Sequence, residues 1–145
     1  MNSKTVLFLI LSLCIPLVSA FELGELDGKQ LTAMQQEQDA LIIDIRTEQE
    51  WATTGVIPES QKLEFFNAEG QYDIQQWLAK LNKLRTSPDQ PIVLVCRSGN
   101  RSEKVGQFLT HKLGMKNVYH LKNGIMPWIK AGNTVTKDCP PNSTC

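Results

Sequence analysis

Histidine, net charge and long apolar runs are what this chain has least of. Its 145 residues include two histidines, His111 and His120, which stand alone in the sequence, without a metal-ligand pattern of neighbours. His111 falls on a predicted helix and His120 on a predicted strand. Both read as surface or hydrogen-bonded side chains, not as ligands or bases, and no metal or cofactor is expected. Fifteen Lys and Arg balance fifteen Asp and Glu, and no basic patch suggests nucleic acid. The apolar stretch within Thr5–Ala20 is shorter than the roughly 20 residues that span a bilayer, so no permanent membrane span is expected. No internal repeats occur.

What is present begins with a targeting pattern. Lys4, the apolar run Val6 to Ile15, Pro16 and the small residues of Val18-Ser19-Ala20 read as a cleaved secretory signal over residues 1–20. The protein is therefore expected to be periplasmic or secreted. Lipidation at Cys14 ranks below cleavage, because the preceding Leu13 is larger than the small residue usual there. About 125 residues remain from Phe21, enough for one domain over residues 21–136 and a tail over 137–145. Loss of the signal leaves Cys96, Cys139 and Cys145. Cys139 and Cys145 can close a small disulfide loop and leave Cys96 free; the alternatives are two unpaired thiols or, less favoured, a metal site.

The pattern along the chain is that of an α/β domain. Asp27-Gly28-Lys29-Gln30 reads as a capping box for a helix through Glu37, and Ala40–Ile45 as a strand buried on both faces. Thr47-Glu48-Gln49-Glu50 starts a second helix, which Gly55 stops. Ile57-Pro58 reads as a turn and Gln61–Phe65 as a weak strand. Ile74, Trp77, Leu78, Leu81 and Leu84 share one helical face, ended by Ser87-Pro88-Asp89. Ile92–Val95 is a strand, Asn117–Leu121 another, and Asn123-Gly124 turns into a last helix bearing Trp128. Trp51, Trp77 and Trp128 are expected to pack in the core. Strands separated by helices imply a mainly parallel central sheet flanked by helices.

One stretch carries chemistry. Cys96-Arg97-Ser98-Gly99-Asn100-Arg101-Ser102 places a thiol where a buried strand gives way to a tight turn and a helix, with Ser102 as the predicted cap of a helix through His111. Converging backbone N–H groups, the positive end of the helix dipole, and Arg97 and Arg101 should stabilise a thiolate and an adjacent anion. Asp44 and Arg46 end another central strand, and ligands bind at such carboxyl ends. They either form an ion pair that shapes the loop and adds positive potential, or are solvated.

Together these segments resemble a single-domain rhodanese, a thiosulfate sulfurtransferase-type family, of an exported kind. The resemblance runs from about Leu26 to Val135. It rests on Leu41–Thr47 with Glu50-Trp51, on Val93–Ser102, and on Val118–Leu121 with Gly124, Trp128, Ala131-Gly132 and Val135. It implies a three-layer rhodanese-like α/β domain in which Cys96 carries sulfane sulfur as a persulfide. A small anionic donor such as thiosulfate would load it, and cyanide, a thiol or a sulfur-accepting protein would unload it. The loop of Arg97, Ser98, Gly99, Asn100 and Arg101 would bind the donor, Arg97 facing its oxygens and Arg101 either aiding it or bracing the loop. Asp44, Arg46 and Ser102 would support. A non-enzymatic sulfur-carrier or protein-binding module is the alternative. A phosphatase or arsenate reductase fits less well, because those use Cys-x5-Arg and this loop is Cys-x4-Arg. Three departures from the family pattern stand out: Val56 and Glu59 in Gly55–Ser60, where His and Gly are usual, and Asn123 in place of a glycine.

Overall fold

The computed structural model describes residues 21–137. The signal and lipidation expectations at residues 1–20, and the pairing of Cys139 with Cys145, lie outside the described residues. Five strands and five helices alternate: β1 Gly24–Leu26, α1 Gly28–Glu37, β2 Leu41–Asp44, α2 Glu48–Thr54, β3 Gln61–Lys62, α3 Ile74–Leu84, β4 Ile92–Val95, α4 Asn100–Gln107, β5 Val118–Leu121 and α5 Ile125–Lys130. A π-helical turn, Phe108–Lys112, extends α4, so the helix expected to run through His111 changes its hydrogen-bonding pattern after Gln107.

All strand pairs are parallel, in the order β1-β5-β4-β2-β3. Side chains alternate across the sheet, which divides the core in two. Ile43, Ile92 and Leu94 pack with Trp77 and Leu81 of α3 and Val105 of α4. Ile42, Val93 and Val95 pack with Leu31 and Met34 of α1 and Ile125 of α5. Both faces are therefore covered, which explains why β4 is apolar at all four positions and why each is fully buried. Removing Leu81 from water alone contributes about 2 kcal/mol.

Local chemistry sets the helix starts. Asp27 with Gln30, and Thr47 with Glu50, form reciprocal capping boxes, while Asp73 caps α3 through the Gln76 N–H. The strand expected over Gln61–Phe65 is regular only at Gln61–Lys62. Beyond it Leu63 and Phe65 still donate to the Asp44 and Ile45 carbonyls at 3.0 and 3.3 Å, an irregular continuation of the edge.

From β2 the chain leaves toward β3, and from β4 it leaves toward β5, in opposite directions across the sheet. The crevice between the carboxyl ends of these two strands is the place where open parallel sheets bind ligands. Asp44 pairs in register with Val95, so the loop after β2 and the loop carrying Cys96 are neighbours.

Candidate active site

Cys96 follows the last residue of β4 and is fully buried. Gly99, at φ +92°, turns the chain and is the N-cap of α4, but it has no side chain to receive the first-turn N–H groups. The cysteine sulfur takes that place. Gly99 N and Ser102 N donate to Cys96 Sγ at 3.2 and 3.3 Å, and Ser102 Oγ lies 3.3 Å from it. In an ordinary cap the N3 amide bonds an oxygen of the N-cap side chain; here N3 is Ser102 and its acceptor is sulfur. The positive end of α4 thus points at Sγ.

This geometry corrects two expectations. Ser102 does not cap the helix: it lies inside the first turn, buried, with its hydroxyl 3.0 Å from the Gly99 carbonyl. The converging amides are those of residues 99 and 102, with no such bond from 97, 98, 100 or 101. Arg97, Ser98 and Asn100 are exposed on the rim. The loop is held from the other side by α5, whose Ile125 N and Met126 N donate to the Cys96 and Arg97 carbonyls at 2.9 and 3.3 Å. Gly124, at φ +67°, lets this close approach happen, since a Cβ there would overlap both carbonyl groups.

Three arginines surround the loop and differ in what they face. Arg46 is 1% exposed and clamps Asp44 through Nε and Nη2, at 2.7–3.1 Å, while donating to Thr54 Oγ1 and the Gly55 carbonyl. Of the two readings of Asp44 and Arg46, the ion pair holds and the solvated one falls; its charges cancel, so it shapes the loop more than it adds potential. Arg101 makes a two-point ion pair with Glu50, at 2.6 and 2.9 Å. Burial alone would raise the Glu50 pKa, but hydrogen bonds from Arg101 and Thr47 outweigh it and bring it down to about 2. The same Glu50 hydrogen bond raises the pKa of Arg101. Arg101 therefore braces the loop. Arg97 has no hydrogen-bond or ion-pair partner among the described residues, which leaves it as the uncompensated cation of the loop.

A cleft of about 260 Å³ opens beside this loop, lined by Arg46, Gln49, Glu50, Thr53, Thr54, Arg97 and Met126. A larger one, about 390 Å³, is walled by Phe65, Tyr72 and Trp77 and contains no residue of the Cys96 loop. No three His, Cys, Asp or Glu side chains converge as metal ligands would among the described residues. No helix among them is long and apolar enough to cross a membrane.

The remaining candidates divide. His111 is exposed, but His120 is 3% exposed and neither ring nitrogen finds a hydrogen bond, Nε2 having only the Glu25 carboxylate at 3.8 Å, so it is not the hydrogen-bonded histidine the sequence suggested. Trp77 is core; Trp51 and Trp128 are only half-buried, the latter donating to the Thr134 carbonyl. Val56, where the resemblance expects histidine, is buried and pairs through its backbone with Thr136. In sequence Glu50 reads as part of a helix start and of a family signature, not as a partner of Arg101. Its partner lies 51 positions away, and no local spacing signals that pair.

Comparison with known proteins agrees with this picture. The rhodanese-like domain family model matches residues 27–131. A sulfurtransferase of Allochromatium vinosum is 29% identical over 110 residues, covering 75% of this chain and 91% of its own. A tRNA uridine(34) hydroxylase of Pelagibacter ubique is 32% identical over 122 residues, covering 84% of this chain; the chain spans 36% of that protein's length. In structure, Rv0390 of M. tuberculosis superposes with a TM-score of 0.64 at 24% identity, over 79% of this chain and 98% of its own.

Proposed function

We propose that this chain, which belongs to the rhodanese-like domain family, is a sulfurtransferase working through a Cys96 persulfide. The observation that carries this reading is the sulfur seated as the acceptor of the α4 first-turn amides. In the first half-reaction the Cys96 thiolate attacks the outer sulfur of thiosulfate. The S–S bond of the donor breaks and sulfite leaves with the electron pair. In the second, cyanide or a thiolate attacks the outer sulfur of the Cys96 persulfide and restores the thiolate. The amides of Gly99 and Ser102 stabilise the sulfur anion at the start and end of each cycle, as oxyanion donors do for oxygen. Arg97, free of partners, receives the donor's sulfonate oxygens.

Cys96 is fully buried, so a donor reaches Sγ only through a local opening of its surroundings. Once loaded, the outer sulfur stands about 2 Å beyond Sγ and is the more accessible atom. The match to a sulfurtransferase over nearly its whole length supports this reading, whereas the hydroxylase contains much more chain than is shared. A phosphatase reading is disfavoured by Arg101, which is committed to Glu50 and not turned to an oxyanion. Export, expected from residues 1–20, belongs to the same proposal.

Steady-state transfer from thiosulfate to cyanide tests it. Cys96→Ser should abolish turnover, and Arg97→Ala should raise the thiosulfate KM about tenfold, the loss of one charge-assisted contact, with a smaller change in kcat. Wild-type turnover matched by Cys96→Ser would refute the assignment.

A further inference from the structure

The cleft beside the Cys96 loop holds more arginine than free positive charge. Three charged side chains line it, Arg46, Glu50 and Arg97. Arg46 is matched by Asp44 at 2.7 Å, and Glu50 is matched at 2.6 Å by Arg101, the neighbour of Ser102 in the first turn of α4. Glu50 is held at a pKa of about 2, so it stays ionised and Arg101 stays compensated at any ordinary working pH. Only Arg97 brings an unmatched charge. The cleft therefore offers one positive charge where the three arginines around the loop would otherwise give three.

The other lining groups are neutral. Thr53 Oγ1 donates to the Gln49 carbonyl at 2.7 Å and Thr54 Oγ1 to the Glu50 carbonyl at 3.0 Å, so neither hydroxyl has a proton left for a ligand. Met126, 39% exposed, adds an apolar wall beside Arg97, to whose carbonyl its amide donates. At about 30 Å³ per water, the cleft of about 260 Å³ has room for about nine waters, more than the atoms of thiosulfate fill. Attraction to a single cation grows in proportion to a ligand's charge, whereas the cost of taking that charge out of water grows with its square. One unmatched arginine, an apolar wall and spare volume therefore suit a singly charged anion with an organic substituent better than a compact dianion.

We propose that the preferred sulfur donor is a singly charged organic thiosulfonate, R–SO₂–S⁻, and that Glu50 sets this preference by cancelling the charge of Arg101. This rests on the persulfide reading above. The loading step balances: the Cys96 thiolate attacks the outer sulfur, the donor's S–S bond breaks, sulfinate R–SO₂⁻ leaves with the electron pair, and Cys96 is left as the persulfide anion. Arg97 receives the sulfonyl oxygens, and the substituent R lies against Met126. Glu50 acts through Arg101 and through its own negative charge on the cleft wall, which a dianion such as thiosulfate or sulfate meets at greater cost than a monoanion does.

The test compares wild type, Glu50→Gln and the Glu50→Gln/Arg101→Gln double variant, with methanethiosulfonate and thiosulfate as donors, cyanide as acceptor, and methanesulfonate and sulfate as unreactive competitors. Glutamine at position 50 keeps a capping box with Thr47 available, so the start of α2 survives while the charge goes. Wild type should show a lower inhibition constant for methanesulfonate than for sulfate; the reverse order would overturn the proposal. In Glu50→Gln the uncovered Arg101 should raise kcat/KM for thiosulfate about five- to tenfold relative to methanethiosulfonate, mostly through KM. That shift should fade in about 1 M salt, where the Debye length is about 3 Å. The double variant, again with one unmatched arginine, should return to the wild-type ratio. A purely bracing role for Glu50 lowers kcat for both donors alike; that result, or a shifted ratio that persists in the double variant, would overturn the proposal. If peptide mass mapping finds sulfur on Cys96 but the ratio is the same in all three proteins, the selectivity role alone fails. If neither donor puts sulfur on Cys96 in wild type, the persulfide reading fails instead.

Discussion

Ser102 has one hydroxyl proton and two neighbours to give it to, the Gly99 carbonyl at 3.0 Å and the Cys96 sulfur at 3.3 Å. With Cys96 as a thiol, Ser102 can donate to the carbonyl while its oxygen accepts from the S–H. With Cys96 as a thiolate, the hydroxyl can turn to the sulfur and add a third donor to the two amides. Glu59 and Asn123, both departures from the family's glycines, sit at φ +63° and +62°. Asn tolerates this region, but a glutamate there costs about 1–2 kcal/mol. Glycine would recover that and lose about 0.5–1 kcal/mol to its larger unfolded-state entropy. Glu59→Gly should therefore stabilise the fold by about 0.5–1 kcal/mol. Urea unfolding that shows equal or lower stability would rule out strain at this turn.

At the scale of elements, the end of β2 and the end of α2 are joined by one buried cation. Arg46 reaches from Asp44 to Thr54 and the Gly55 carbonyl. Arg46→Ala leaves the Asp44 carboxylate buried without its partner, and should destabilise the protein by about 3–5 kcal/mol in denaturant titrations. A cost below 1 kcal/mol would mean that water replaces the guanidinium. Strand β4 was legible to the residue as a short apolar run, and helix α3 as an apolar face from Ile74 to Leu84 ahead of a Pro-containing break. Strand β1 was not, having three residues of which only Leu26 is buried, too few for any period. The start of α4 was misplaced by the rule that seeks a hydroxyl or carboxylate cap. No such rule anticipates that a cysteine four residues before the helix supplies the acceptor. Which arginine would be paired depended on tertiary partners and was not readable from spacing.

For the whole molecule, pH acts on stability through His120 and Glu50 among others, two groups that differ in sign of charge but not in direction. His120 is buried under α4 between the sheet and the helix, and burial lowers its pKa against the opposing pull of Glu25 and Glu103, while Lys122 adds to the lowering. Below the ordinary histidine value of 6.5 the unfolded chain takes up the proton first, so stability falls as pH drops toward the lowered folded value. Glu50, ordinarily near 4.5 and held at about 2 in the fold, adds a further loss as pH falls through that interval. His120→Phe should flatten the first loss and leave the second. Thermal melts across pH 7 to 3 check this, and an unchanged profile in the variant would place the upper transition elsewhere.

The central claim is that the sulfur capping α4 is the atom that carries sulfane sulfur. The most direct measurement is the mass of residues 21–145 with Cys139 and Cys145 both replaced by serine, after thiosulfate treatment and desalting. One added sulfur atom is expected, mapped to the peptide containing Cys96, absent from a Cys96→Ser version and removed by cyanide. An unmodified mass, or the same addition in the Cys96→Ser protein, would contradict it.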